Sequence, residues 1–153
     1  MDLVILMGIP ASGKSTFYQQ QFFRTHVRVN LDMLKTRHRE DRLLDFCFQT
    51  RQPLVVDNTN VAVADRQKYL ALGKHHRFRI RGFYFQSSVR ECLDRNARRT
   101  GKEKIPEKGI LGKYRKLEMP TLAEGFDELF YVQAQDNQFV ITPWQLEPQS
   151  NEI

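Results

Sequence analysis

Gly8-Ile9-Pro10-Ala11-Ser12-Gly13-Lys14-Ser15 fits the pattern G-x-x-x-x-G-K-[ST], and each part of it has a task. The glycines let successive backbone N–H groups curl around an anion, and a helix starting at Gly13 and Lys14 turns its positive end to the same point. Lys14, read as an exposed loop lysine, reaches the β- and γ-phosphates of a nucleoside triphosphate, and the Ser15 hydroxyl ligates magnesium. The context agrees, with an apolar run at Leu3–Met7 before the loop and a helical stretch after it. The competing reading is a plain strand-to-helix turn. The loop alone does not choose among kinase, ATPase and GTPase, but no Asn in the chain is followed by Lys, so the guanine-reading N-K-x-D is missing.

Three further positions carry candidate chemistry. Asp57 ends the apolar run Leu54-Val55-Val56, which puts its carboxylate at the carboxyl edge of a sheet, where it can hold a magnesium-bound water. It can equally cap a helix or close a turn. Asp32 follows Val27-Arg28-Val29 and lies at the same edge, where a carboxylate accepts the proton of an attacking hydroxyl. The alternative makes it the N-cap of the next helix. Arg95 and Arg99 share a helix face before the short charged stretch Thr100–Lys104, which reads as a mobile loop. Guanidinium groups closing over a transferring phosphoryl group stabilise its charge. A solvated surface pair, with Glu91 helping Arg95, is the bland alternative. His26, His38, His75 and His76 show no ligand spacing with Cys or acid, so no zinc site is expected.

These residues need strands and helices in alternation. Leu3–Met7, Val27–Val29, Leu54–Asp57, Arg79–Phe85 and Leu129–Val132 read as strands, with Phe139–Ile141 a small sixth. Helical patterns run from Lys14 to Phe23, through Leu43–Phe48, from Val63 to His75, from a capping box at Ser88-Val89-Arg90-Glu91, and from Pro106 to Leu117. Continuous apolar strands alternating with helices predict an α/β fold: a parallel sheet with helices on both faces.

The 153 residues suit a single domain over 1–153, with a lid at about 95–106 and an acidic extension at about 133–153. Apolar content of 41% excludes global disorder. The net charge of +6 is unevenly spread: Lys74–Lys116 holds 14 Lys/Arg against 4 Asp/Glu, while residues 117–153 hold none against 7. Such a block points to an anionic partner or to a solvated surface. Cys47 and Cys92 make no disulfide framework, and a reducing cytoplasmic setting fits them. No apolar run approaches the roughly 20 residues that span a bilayer, so no membrane partner is expected.

Gly8–Thr16, Val29-Asn30-Leu31-Asp32, Asp57-Asn58-Thr59-Asn60, Arg95-Asn96-Ala97-Arg98-Arg99 and Pro120–Phe126 occur in the order found in polynucleotide 5′-hydroxyl kinases. The resemblance to that family covers about residues 3–132. It implies a three-layer P-loop kinase fold, with the parallel strands in the order 2-3-1-4-5, and magnesium-dependent transfer of the ATP γ-phosphate to a 5′-OH end of DNA or RNA. In that frame Gly8, Pro10, Ala11, Ser12, Gly13, Lys14, Ser15 and Thr16 hold the triphosphate, and Ser15 and Asp57 serve the metal. Asp32 matches the general base, Arg95 and Arg99 the lid arginines, and Lys35, Asn58 and Thr59 the acceptor contacts. Leu31 stands where the family commonly has an arginine, and Lys35 offers a point charge where an arginine would offer a fork. The phosphatase and ligase domains that accompany this kinase in larger enzymes are not in the sequence, so the expectation is a stand-alone kinase or one that borrows those activities from separate phosphatase or ligase proteins. Two other readings remain at this stage: a kinase for a small-molecule hydroxyl on a nucleoside, sugar or antibiotic, and a non-catalytic nucleotide-binding module.

Overall fold

The computed structural model describes residues 1–86, 88–135 and 138–144; the part of the expected acidic extension beyond Trp144 lies outside the described residues. Strand β1 (Asp2–Met7) is the centre of the sheet, parallel to β3 (Leu54–Asp57) on one side and to β4 (Arg79–Phe85) on the other. Its register sets Leu3 opposite Leu54 and Leu6 opposite Asp57. Strand β2 (Val27–Val29) pairs outside β3, and β5 (Glu128–Gln135) outside β4, both parallel. The first five strands therefore take the expected 2-3-1-4-5 order. The sixth, β6 (Gln138–Pro143), returns antiparallel along β5 and closes that edge as a hairpin.

Leu3 to Met7 are all fully buried because both sheet faces are covered. Leu3, Ile5 and Met7 pack with Val29, Val56 and Ile80 against α3 (Arg37–Thr50) and α4 (Val63–His75), which contribute Leu44, Cys47, Phe48, Tyr69 and Leu70. Val4 and Leu6 face the other way, with Val55, Phe83, Phe85 and Val132, against Phe17 and Tyr18 of α1 (Lys14–Gln21) and Phe22 just beyond it. Phe17 lies 5.1–5.3 Å, centroid to centroid, from Phe83, Phe85 and Phe139, so the β5–β6 hairpin shares this core. A third cluster, Ile9, Ala11, Val61, Cys92 and Ile110, joins the phosphate loop to α5 (Val89–Ala97) and α6 (Glu107–Arg115). The three-layer expectation holds. Both cysteines are buried and free, and burial pushes their thiols up to about 11, which suits a packing role.

Two local features differ from the sequence expectation. A one-turn helix, α2 (Leu31–Leu34), precedes α3; it stops where Lys35 adopts φ +75°, and Thr36 starts α3 by accepting from the Arg39 N–H at 3.1 Å. Pro106 stands at the N-cap of α6 rather than inside its first turn.

Arg66 on α4 is fully buried. Its guanidinium forks onto Glu124 at 2.8 and 3.1 Å and also donates to the carbonyls of Asn60, Val61 and Glu118. One side chain thus fastens the loop after β3 to the segment before β5. Removing it leaves a nearly buried carboxylate without its partner, so Arg66→Met is expected to lower the unfolding free energy by about 3–5 kcal/mol in urea titration. An unchanged midpoint would show that the fork contributes nothing net.

Candidate functional site

The phosphate loop runs from β1 into α1 through backbone that few residues adopt. Gly13 has φ +103°, the left-handed region that a side chain resists. Ala11 is held there too, at φ +66°, while its carbonyl accepts from Arg95 Nη1 at 3.1 Å. The sequence reads Lys14 as an exposed loop lysine; the structure buries it. Its ammonium folds back onto its own loop, donating to Gly8 O and Ile9 O at 2.9 Å each and to Ser12 Oγ at 3.3 Å. Burial pulls its pKa down to about 8, with the Asp57 carboxylate opposing the shift. The loop cradles its own cation in the place an anion's oxygens would claim.

Asp57 is the last residue of β3, only 2% exposed, and caps no helix: Ala62 holds that position for α4. Its Oδ2 accepts from Ser15 Oγ at 3.0 Å. A hydroxyl and a carboxylate side by side are the hard oxygen donors that magnesium takes, with water completing its shell. These residues fit that ion. Sequence reasoning missed Arg28, whose Nε donates to the same Oδ2 at 2.8 Å and whose Nη2 donates to Ser15 Oγ at 3.1 Å. Period-2 alternation on β2 was the available signal, since Val27 and Val29 face the α3–α4 core and leave Arg28 for the α1 side.

Across the cleft the structure settles the capping question for Asp32. Asn30 is the N-cap of α2, its Oδ1 accepting from the Met33 N–H at 2.9 Å. Asp32 lies in the first turn, with an exposed side chain. Two asparagines fix this turn to the end of β3: Asn30 Nδ2 donates to the Asp57 carbonyl at 2.6 Å, and the Leu31 N–H donates to Asn58 Oδ1 at 2.9 Å. Asn58 in turn donates to the Tyr69 hydroxyl at 3.3 Å, and Tyr69 donates to Glu40 at 2.9 Å. Glu40 is fully buried, which favours its protonated form. Hydrogen bonds from Lys68, Tyr69 and Arg37 outweigh that and hold it below the usual carboxylate range. No local pattern in the sequence pointed to Glu40, because its partners come from α3 itself, β3's end and α4.

The lid segment is tied at its base. Asn96 accepts from the Ile105 N–H at 2.8 Å and donates to the Ile105 carbonyl at 2.5 Å, and the loop read as mobile contains a 3-10 turn at Gly101–Glu103. Arg99 lines the cleft and donates to the Glu103 carbonyl at 3.4 Å; Arg95 reaches the phosphate loop but does not line the cleft.

One cleft therefore gathers Pro10, Ala11, Gly13, Lys14 and Ser15 with Asp32, Asp57, Asn58, Thr59 and Arg99. Gly8, Ser12 and Thr16 stand outside its lining, Gly8 donating its N–H to the Thr59 carbonyl at 2.9 Å. Lys35 also stands outside it, exposed at the end of α2; Arg37 and Lys113, which sequence reasoning passed over, line the cleft instead. Among the described residues no helix is long and apolar enough to cross a membrane.

A phosphate loop at the carboxyl edge of a parallel sheet, with a basic segment beside it, defines a P-loop nucleotide-binding domain of the kinase type. Residues 35–118 match the family described as AAA domain, and the chain belongs to that family. A curated relative, the bifunctional polynucleotide phosphatase/kinase of Schizosaccharomyces pombe, is 30% identical over 129 residues, which is 82% of this chain and 32% of that protein. The chain thus spans about a third of that relative's length, and the polynucleotide kinase resemblance carried by the motifs is borne out. Among solved structures, Kti12 of Chaetomium thermophilum in complex with ADP-AlF3 superposes with a TM-score of 0.70 at 15% identity, covering 88% of this chain and 90% of that one. A gluconokinase from Sinorhizobium meliloti 1021 gives 0.64 at 18% identity, over 89% and 85%. These two likenesses establish the fold.

Proposed function

We propose that this chain transfers the γ-phosphoryl group of ATP to the 5′-hydroxyl end of DNA or RNA. The observation that carries the reading is Asp32: an exposed carboxylate, relieved of capping by Asn30, on the same cleft as Lys14, Ser15 and Arg99. Asp32 accepts the proton of the acceptor hydroxyl as its oxygen bonds to the γ-phosphorus and the β–γ bridging bond breaks, releasing ADP. Lys14 leaves its loop carbonyls for the phosphate oxygens. Magnesium held near Ser15 and Asp57 supplies positive charge to the leaving group. Arg99 adds a guanidinium on the lid side, and Arg95 keeps the lid helix fastened to the loop through Ala11. The exposed Lys102, Lys104, Lys108, Arg115 and Lys116 offer a polyanion a surface beside the cleft. The relative's printed name supports a polynucleotide acceptor.

Incubation with labelled ATP, magnesium and a panel of 5′-OH oligonucleotides, nucleosides and sugars tests the reading. Label on oligonucleotides, with a KM that rises steeply with salt, is the expected result. Label confined to small hydroxyl compounds overturns the polynucleotide acceptor, and no label on any of them overturns the kinase reading. Arg99→Ala is expected to lower kcat by roughly 10³-fold, with a far smaller effect on oligonucleotide KM. A rise in KM alone would make Arg99 a strand contact.

A further inference from the structure

The oxygens suited to a metal already hold a cation that belongs to the chain. Arg28 is the middle residue of the edge strand β2 and emerges on the α1 side, its guanidinium carbon 6.0 Å from the Tyr18 ring centroid. Its side chain is 28% exposed, whereas the Asp57 side chain it grips is 2% exposed. Arg28 is not part of the cleft lining.

The hydrogen-bond inventory shows the conflict. A serine hydroxyl has one hydrogen and two lone pairs. Ser15 gives its hydrogen to Asp57 Oδ2 and accepts Arg28 Nη2 on the oxygen. A divalent cation bound to Ser15 would take the remaining lone pair of that same oxygen, which sets two positive groups side by side. Its double charge would then face a nearby guanidinium, and the exposure of Ser15 and Arg28 screens part of that repulsion but not all of it, since Asp57 between them is buried.

We propose that Arg28 sets the divalent-cation affinity of this site: it is the resident counter-cation of the Ser15–Asp57 pair, and its guanidinium opposes Mg²⁺ at the same oxygens. The inference rests on the reading of Ser15 and Asp57 as the metal's oxygens. Without metal, Arg28 keeps a nearly buried carboxylate paired and the phosphate loop tied to β2. With metal, the guanidinium opposes it, so the protein demands more Mg²⁺ than the same oxygens would alone.

The test is a binding measurement. Fluorescent ADP is titrated into wild type, Arg28→Gln and Arg28→Lys at increasing Mg²⁺, and each protein is melted in EDTA. In Arg28→Gln the Mg²⁺ concentration that half-maximally tightens ADP binding is expected to fall by roughly tenfold. Arg28→Lys should fall between, since an ammonium cannot bridge both oxygens as the guanidinium fork does. The melting temperature of Arg28→Gln in EDTA should drop below wild type, and Mg²⁺ with ADP should close the gap. If wild type responds to Mg²⁺ and the folded Arg28→Gln needs as much or more, the proposal is overturned while the metal site stands. Should the glutamine variant not fold, an unchanged Mg²⁺ requirement in Arg28→Lys overturns it equally. If Mg²⁺ does not tighten ADP binding in wild type, the metal reading falls and takes the proposal with it.

Discussion

Alanine in place of Lys14 is expected to reduce turnover by roughly 10²–10³-fold or more, since it removes a cation placed where charge gathers in the transferring phosphoryl group. Because Lys14 is buried and donates to Gly8, Ile9 and Ser12, the variant also loses the tie that holds the nucleotide-free loop closed. Circular dichroism and melting must therefore accompany the assay, and near-normal turnover in a folded variant would remove Lys14 from the chemistry. The wild-type protein offers a second check. Free Lys14 loses its proton at about pH 8, and bound phosphates hold that proton on. Nucleotide binding should therefore take up protons above pH 8, and affinity should weaken as pH rises through 8. Stability moves the other way. The folded pKa of about 8 lies below lysine's ordinary value of 10.5, so between these values the unfolded chain binds more protons. Stability from this group then rises with pH across that window. Isothermal titration in buffers of different ionisation enthalpy reads the proton uptake directly.

Asp32→Asn is expected to lower kcat by roughly 10²–10⁴-fold while ATP affinity and melting temperature stay close to wild type. Asn30 carries the cap, so the substitution leaves the hydrogen bonds that shape α2 in place. It removes only the capacity to accept the acceptor's proton. Steady-state kinetics with a 5′-OH oligonucleotide, alongside a binding isotherm for ATP, separate the two effects. An Asn variant that turns over at the wild-type rate would dismiss Asp32 as base and leave the cleft a nucleotide-binding site without an acceptor side.

Much of this architecture was legible because it is written in short-range pattern. Unbroken apolar strands at Leu3–Met7 and Leu54–Val56 report burial on two faces, and the G-x-x-x-x-G-K-[ST] spacing is a local device. The parallel sheet followed from the alternation of elements, whereas its strand order came from the resemblance to P-loop kinases. The features that escaped are those made by residues far apart in the chain. Arg66 meets Glu124 across 58 positions and Arg28 meets Asp57 across 29, and neither side chain breaks any period around it. Nothing local marks Arg37, which reaches the cleft only through the placement of α3. The burial of Lys14 was hidden for another reason: the loop's own carbonyls compensate the ammonium, and backbone acceptors leave no mark in side-chain composition.

Asp57 serves both halves of the cleft at once, its carboxylate toward Ser15 and its carbonyl toward Asn30. One amino acid is therefore the fixed point from which the donor side and the acceptor side are both measured. In-line transfer tolerates little error in that span, since a displacement near 1 Å can cost about 10²-fold in rate. The pairing of Leu6 with Asp57 then acts as a calibration mark. A slip of one residue between β1 and β3 would turn the carboxylate to the opposite side of the sheet and carry the acceptor turn out of range with it. The hydrophobic core and the reaction geometry are under the same constraint at this strand pair, so the core there has less freedom to drift than packing alone would demand.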